Sequence, residues 1–203
     1  MSIKDISRIG LLCIDTQQAF SDVSRFARER SNPHFEKNFE ALLTAFRSKR
    51  GPKVFHVQHS SLSPTSFLHP SAGNGNYIKF MPYAEPQDDE PVVVKHFNGG
   101  FTQTKLEEIL KANKLEALFI CGLILDHCVS TTTRMAKDLR VADRIVLVQD
   151  ATATFNRGAV DAEIVHRVSY ESLRDEFAEI MNTDQVLKAL DEVKDFSPSY
   201  KTS

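Results

Sequence analysis

Four places in this 203-residue chain join a reactive side chain to an abrupt change of polarity. Asp15 ends the apolar run from Ile9 to Ile14, and Lys95 ends Val92-Val93-Val94. The group Asp126-His127-Cys128 ends the run from Leu118 to Leu125, and Asp150 follows the run from Ile145 to Val148 after Gln149. Ligands of an open parallel α/β sheet bind beyond the carboxyl ends of its strands, so an acid, an amine and a thiol at three strand ends can converge while lying far apart in the chain. Taken singly, each is also what any buried run needs at its end, a soluble residue. The thiol carries the sharper chemistry. Cys128 leaves its run and opens a helix through Val129-Ser130-Thr131, and the unpaired N–H groups of a helix N-terminus lower a thiol pKa. Lys95 alongside would lower it further, and Asp15 could take the thiol proton and hand it to a leaving group. Cys13 and Cys121 lie inside apolar runs and read as buried, inert thiols.

Short, continuous apolar runs mark strands buried on both faces, the habit of a parallel sheet. Val54-Phe55-His56-Val57 adds a fifth. Helical periods lie between the runs. Phe35, Phe39, Leu42, Leu43 and Phe46 form one stripe, with Asn32-Pro33 as N-cap and first-turn proline and Gly51-Pro52 as the stop. Thr104 and Glu107 read as a capping box ahead of Leu106, Ile109 and Leu110. Thr132, Met135, Ala136 and Leu139 give a helix after Cys128, and Val160, Ile164, Val165 and Val168 give another. Thr183 reads as the cap of a last helix carrying Val186, Leu187, Leu190 and Val193. Strands alternating with helices imply right-handed βαβ units and a doubly wound three-layer α/β sandwich, its mostly parallel sheet covered by helices on both faces. Residues 60–91, rich in Ser, Pro, Gly and Asn and without a period, are the exception; a stretch this long is expected to bind something or meet a partner. The chain reads as one domain over residues 1–203, with a frayed tail at about 196–203.

Composition narrows the function classes. Twenty-five basic residues against 27 acidic ones give a net charge of −2, so no basic surplus points to nucleic acid or an anionic membrane. No apolar stretch approaches the ~18 residues of a membrane span. Three cysteines, an odd number, in a chain large enough to fold without staples imply reduced thiols and a cytoplasmic setting. Charges among the first eight residues argue against a signal peptide.

Three stretches then act together. Ile14-Asp15-Thr16-Gln17-Gln18-Ala19-Phe20, Lys95 followed by Phe101, and Gly122-Leu123-Ile124-Leu125-Asp126-His127-Cys128-Val129 resemble, in order, the three signatures of the isochorismatase-like cysteine hydrolases. Asp150-Ala151-Thr152-Ala153-Thr154-Phe155 and Glu176-Phe177-Ala178 are similar to later parts of the family, and the likeness runs from about Arg8 to Asp184. The resemblance implies a sheet of about six strands and hydrolysis through a thioester. Cys128 would attack a carbonyl, Asp15 would carry the proton, and Lys95 would hold both. The oxyanion would rest on the backbone N–H groups of Ile124 and Cys128, with a cis peptide at Leu123–Ile124. It implies no cofactor, and an assembly that is a homodimer or homotetramer.

Within that family, nicotinamidases carry an Asp-x-His metal pattern after the second strand. This chain has Val57-Gln58-His59-Ser60 there, and His56 and His59 have opposite strand parity, so no metal is expected. True isochorismatases typically lack the cysteine, so Cys128 implies an amide, ureide or related C–N bond in a small-molecule substrate. Two alternatives stand beside this reading: enol-ether hydrolysis with Asp15 as acid, and a non-catalytic ligand- or partner-binding member of the fold. Departures from the family pattern (Ala19-Phe20, Gly99-Gly100-Phe101, and Leu125 in place of a frequent Thr) leave the triad positions intact and alter the pocket lining. Phe20, His59, Phe101, His127 and Phe155 are the candidates to line that pocket.

Overall fold

The computed structural model describes residues 8–21, 29–49 and 51–192. Its sheet has six strands in the order β3-β2-β1-β4-β5-β6, every neighbouring pair parallel. The strands are β1 (Ile9–Ile14), β2 (Lys53–His59), β3 (Val92–Lys95), β4 (Leu115–Leu123), β5 (Ala142–Ala153) and β6 (Glu179–Met181). Between them lie α1 (Phe35–Ser48), α2 (Leu106–Ala112), α3 (Ser130–Asp138) and α4 (Ala162–Glu171), and α5 (Thr183–Glu192) follows β6. The first five strands contain the apolar runs; β6 has none to announce it.

All six residues of the central β1 are buried, so it serves two cores at once. Leu11 and Cys13 face one core with Phe39, Phe46, Phe119 and Leu190, where Phe46 and Phe119 meet edge to face. Leu12 and Ile14 face the other with Leu106, Leu110, Leu118 and Ala136. This alternation is why the runs are apolar without interruption.

Several local expectations give way to the structure. Asn32 is not the N-cap of α1: it sits in left-handed backbone (φ 52°), its Oδ1 accepts from His34 N, and its amide spans to the carbonyls of Asp150 and Thr152. The Thr104/Glu107 box is half formed. Thr104 Oγ1 accepts from Leu106 N, while Glu107 pairs forward with Lys111 one turn on. Thr183 is the first residue of α5 rather than its cap; Asn182 Oδ1 accepts from Gln185 N, and Thr183 bonds Asp150 through both N and Oγ1. The largest difference is α4. Its buried residues are Ala162 and His166, whereas Val160, Ile164 and Val168 are 45%, 57% and 63% exposed. The apolar period there is real and faces outward. Val193 and the expected frayed tail lie outside the described residues.

Residues 60–91 are not a bare loop. They carry two short helical turns, Ala72–Gly75 and Pro82–Ala84, and send Leu68, Met81 and Ala84 into the α1-side core. Their backbone carbonyls at Tyr77 and Lys79 accept from Ala19 N and Gln18 N, and so brace the turn that follows Asp15. Among the described residues, no helix is long and apolar enough to cross a membrane.

Candidate active site

Asp15, Lys95 and Cys128 arrive from three strand ends and meet. Asp15 is the first residue after β1 and takes left-handed backbone (φ 49°), which an aspartate tolerates better than most residues. Its N–H donates to Val57 O of β2, which fixes where the turn leaves the sheet. Lys95 is the last residue of β3 and is fully buried. Cys128 sits inside a wide π-type turn, Leu125–Val129, in which Val129 N reaches back five residues to Ile124 O. The peptide Leu123–Ile124 ahead of that turn is cis, as the resemblance implies.

The geometry centres on the lysine. Lys95 Nζ lies 2.7 Å from Asp15 Oδ2, 3.2 Å from Cys128 Sγ, 3.0 Å from His59 Nδ1 and 3.1 Å from Phe97 O. An ammonium has three protons to donate, so these four acceptors compete for it. The Asp15 carboxylate also hydrogen-bonds the Cys128 side chain, which sets it beside the thiol proton. Burial pushes the Asp15 carboxyl above the ordinary carboxylate range, with the Lys95 charge pulling the other way. Burial also raises the Cys128 thiol, the Asp15 carboxylate raises it further, and Lys95 opposes both.

That overturns one expectation. A helix N-terminus was to lower the Cys128 pKa, but α3 starts only at Ser130, and the thiol, 5% exposed, feels burial and a carboxylate first. Burial and the Asp15 carboxylate thus favour the thiol form of Cys128 over the thiolate. Cys13 and Cys121 are buried partners on β1 and β4, Sγ to Sγ 4.0 Å, and burial holds Cys13 far above a usable pKa.

The pocket candidates separate. His59 touches the cluster directly. Phe155 is buried in the α1-side core, Phe101 in the opposite core, and Phe20 stands edge-on to Phe67. His127 points outward, with its side chain 49% exposed and Nε2 3.6 Å from Asp126 Oδ2. Asp126 itself is a brace: it accepts from Thr154 Oγ1 and from Arg157 Nε, tying the nucleophile turn to the end of β5. Asp150 is structural, spent on Thr183. Two residues were missed by the sequence reading. Asn98 Oδ1 lies 3.7 Å from Cys128 Sγ; its only signal was a polar residue ahead of Gly99-Gly100. Gln17 is fully buried, and its amide accepts from His59 N and donates to His59 O and Ile78 O. A cavity of about 590 Å³ opens elsewhere, lined by Gln18, Ser21, Asn74, Tyr77 and Lys79, and does not include the cluster.

Asp15, His59 and Cys128 each offer a metal-ligand atom within 4.8 Å of the others. Lys95 Nζ is within 3.2 Å of all three, so the cation they surround is the ammonium of the chain itself.

A parallel α/β sheet with a buried acid, amine and thiol gathered at its carboxyl edge defines a hydrolase-type site on a doubly wound fold. The isochorismatase domain model matches residues 10–185. The uncharacterized isochorismatase family protein YrdC of Bacillus subtilis is 40% identical over 183 residues, 88% of this chain and 94% of that one. A streptothricin hydrolase of Streptomyces noursei is 39% identical over 147 residues, covering 72% of this chain and 50% of that protein. A solved putative hydrolase of the isochorismatase family from Chromobacterium violaceum superposes with a TM-score of 0.82 at 30% identity, over 92% of this chain and 95% of that one. The chain belongs to the isochorismatase family and is an isochorismatase-family hydrolase.

Proposed function

We propose that the protein is a cysteine-dependent hydrolase that opens a small amide, ureide or related C–N bond through a thioester. The observation that carries this is the position of Lys95 Nζ, 2.7 Å from Asp15 and 3.2 Å from Cys128, with all three side chains buried. The thiol proton passes to Asp15 as Sγ bonds to the substrate carbonyl carbon, and the carbonyl becomes an oxyanion. The backbone N–H groups of Ile124 and Cys128 are the proposed donors to it. The C–N bond breaks as Asp15 returns the proton to the departing nitrogen, leaving a thioester. Water then gives its proton to Asp15 and its oxygen to the thioester carbon; the acid leaves and Cys128 regains its proton. Lys95 faces whichever of the two acids is the anion, through its contacts of 2.7 Å to Asp15 and 3.2 Å to Cys128. No metal or cofactor enters these steps.

A protonatable Asp15 with a raised pKa also suits the enol-ether alternative, where the carboxyl would protonate a vinyl carbon. The two readings divide on one variant. With a confirmed amide substrate, Cys128→Ala is expected to lose on the order of 10³-fold or more in turnover, and Asp15→Asn a similar amount, with the double variant scarcely worse than the worse single. Mass spectrometry of quenched wild type should show the acyl group on Cys128. Near-wild-type turnover in Cys128→Ala would end the thioester route. Ligand binding without turnover across a broad amide panel would leave the non-catalytic reading.

A further inference from the structure

Among the described residues, Asn98 is the one polar neighbour of the nucleophile that faces solvent. Beside Cys128 Sγ stand Lys95 Nζ at 3.2 Å, His59 Nδ1 at 3.7 Å, Asn98 Oδ1 at 3.7 Å and the Asp15 carboxylate, which hydrogen-bonds the thiol. Asp15, Lys95 and His59 are buried and close the inner side of the sulfur; Asn98 is exposed. A carbonyl carbon therefore reaches Sγ past the Asn98 amide. The backbone that carries this amide is pinned on both sides. Lys95 Nζ donates to Phe97 O at 3.1 Å, and Gly100 N donates to Thr132 Oγ1 of α3 at 2.9 Å. Between them, Gly99 lies so near α3 that a Cβ would stand 2.6 Å from Met135 Sδ. Asn98 Oδ1 itself is left short of a donor. A thiol has one proton, and the charged Asp15 carboxylate competes for it more strongly than a neutral amide oxygen does. The Asn98 side chain makes no other hydrogen bond among the described residues. Once the thiol proton sits on Asp15, an amide oxygen beside a sulfur anion is repelled unless a donor comes between them.

We infer that Asn98 is a specificity-determining residue whose Oδ1 accepts from an N–H on the scissile nitrogen and so turns that nitrogen's lone pair towards Asp15. The inference rests on the proposed thioester route and names a substrate class within it: primary and secondary amides and ureides, with esters and fully substituted amides disfavoured. As Sγ bonds to the carbonyl carbon, the nitrogen turns pyramidal, and its lone pair needs to face the carboxyl that holds the proton. Asp15 lies on the buried side of the sulfur and Asn98 on the exposed side, so a hydrogen bond to Asn98 selects that orientation. The C–N bond then breaks as the nitrogen takes the proton from Asp15. Asn98 gains and loses no proton; it holds an N–H that the nitrogen already carries.

Two probes share an acetyl group: p-nitroacetanilide has an N–H at the scissile atom, and p-nitrophenyl acetate has an oxygen there. For both, kcat/KM is measured from the coloured product, and quenched ester reactions are read by mass spectrometry for an acetyl group on Cys128. Asn98→Leu keeps the volume and loses the acceptor. In that variant kcat/KM for the anilide is expected to fall by on the order of 10- to 100-fold, and for the ester by only about threefold. Asn98→Asp keeps an acceptor and sets a second anion beside the sulfur, so it should slow both probes yet hold the anilide-to-ester ratio within about threefold of wild type. A ratio unchanged in Asn98→Leu, a ratio lost in Asn98→Asp as fully as in Asn98→Leu, or no cleavage of the anilide by a wild type that cleaves the ester would overturn the inference. Failure of the hydrolytic reading looks different: the ester leaves no acetyl group on Cys128, and the inference falls with it.

Discussion

Gly122 pairs with Ile14 at the end of β1, one residue before Asp15, and replacing it with alanine should damage fold and chemistry together. Its φ of 116° is one that side chains rarely adopt, and the β4–β5 register slips beside it, between Ile120 and Gly122. A Cβ there would lie 2.0 Å from Ile14 O, 2.7 Å from Ile14 N and 2.8 Å from Ile14 C, all backbone atoms that have no rotamer to give. The positive φ alone costs roughly 1–3 kcal/mol, and forcing apart packed backbone adds roughly as much again. A central figure of about 4 kcal/mol is a large share of a typical 5–15 kcal/mol stability. For a chain of this size it lowers Tm by roughly 8–16 °C. Ile14 precedes Asp15, and Gly122 precedes the Leu123–Ile124 peptide, so any relief moves the carboxylate away from the nucleophile turn. Activity in the surviving folded fraction should therefore fall as well. Gly158→Ala is the control, because that glycine has positive φ (57°) but open space within 4 Å, and should cost only the backbone share. Thermal melts of both variants followed by circular dichroism decide it. If Gly122→Ala melts within about 2 °C of Gly158→Ala, the collision does not exist and the close approach of the strands has been misread.

Three further outcomes follow from particular contacts. Burial holds His56, His59 and His166 below the ordinary histidine pKa of 6.5, so each binds a proton more readily unfolded than folded. Stability from these rings is complete above pH 6.5 and is lost as pH falls through each ring's lowered pKa, which for His59 is about 4, by at most about 1.4 kcal/mol per pH unit for each; a Tm that stays flat from pH 7 to pH 4.5 would contradict this. Because the Cys128 thiol is raised, its alkylation by iodoacetamide should climb roughly tenfold per pH unit from 7 to 9 with Cys13 and Cys121 unlabelled, whereas a plateau below pH 8 would indicate a standing thiolate. Ile164→Glu should change stability by less than about 0.5 kcal/mol, against roughly 2–5 kcal/mol for Leu190→Ala, both by urea titration; comparable losses would show that α4 is not exposed along Ile164.

The strands were legible because each carries an unbroken apolar run, and such runs arise only where both faces are buried, as in β1. The meeting of Asp15, Lys95 and Cys128 was legible for the same reason, since strand ends in a parallel sheet share one edge. What failed was local. The stripe of Val160, just ahead of α4, and Ile164 and Val168 within it has a helical period, and period says that a face is apolar but not what covers it. Asn32 and Thr183 have the composition of caps, yet carbonyls of β5 and the Asp150 carboxylate bid for them across more than 30 residues of sequence. Gln17 was invisible because its partners are backbone groups of β2 and of the 60–91 segment, which no side-chain pattern records.

The raised Cys128 thiol shows what a third ionisable group adds to a carboxylate and an ammonium. A cysteine beside a lone ammonium would rest as a thiolate, and a carboxylate beside a lone ammonium would rest ionised. With one ammonium between both acids, each anion disfavours the other, and burial disfavours having two. Under the proposed mechanism the two acids share one negative charge and one mobile proton. In the proposed thioester route, attack needs no ionisation from solvent: the charge moves from oxygen to sulfur as the proton moves the other way, under a lysine whose Nζ lies 2.7 Å from one and 3.2 Å from the other. A thiol tuned down by a helix terminus would leave Asp15 with no proton to collect, and the departing nitrogen with none to receive.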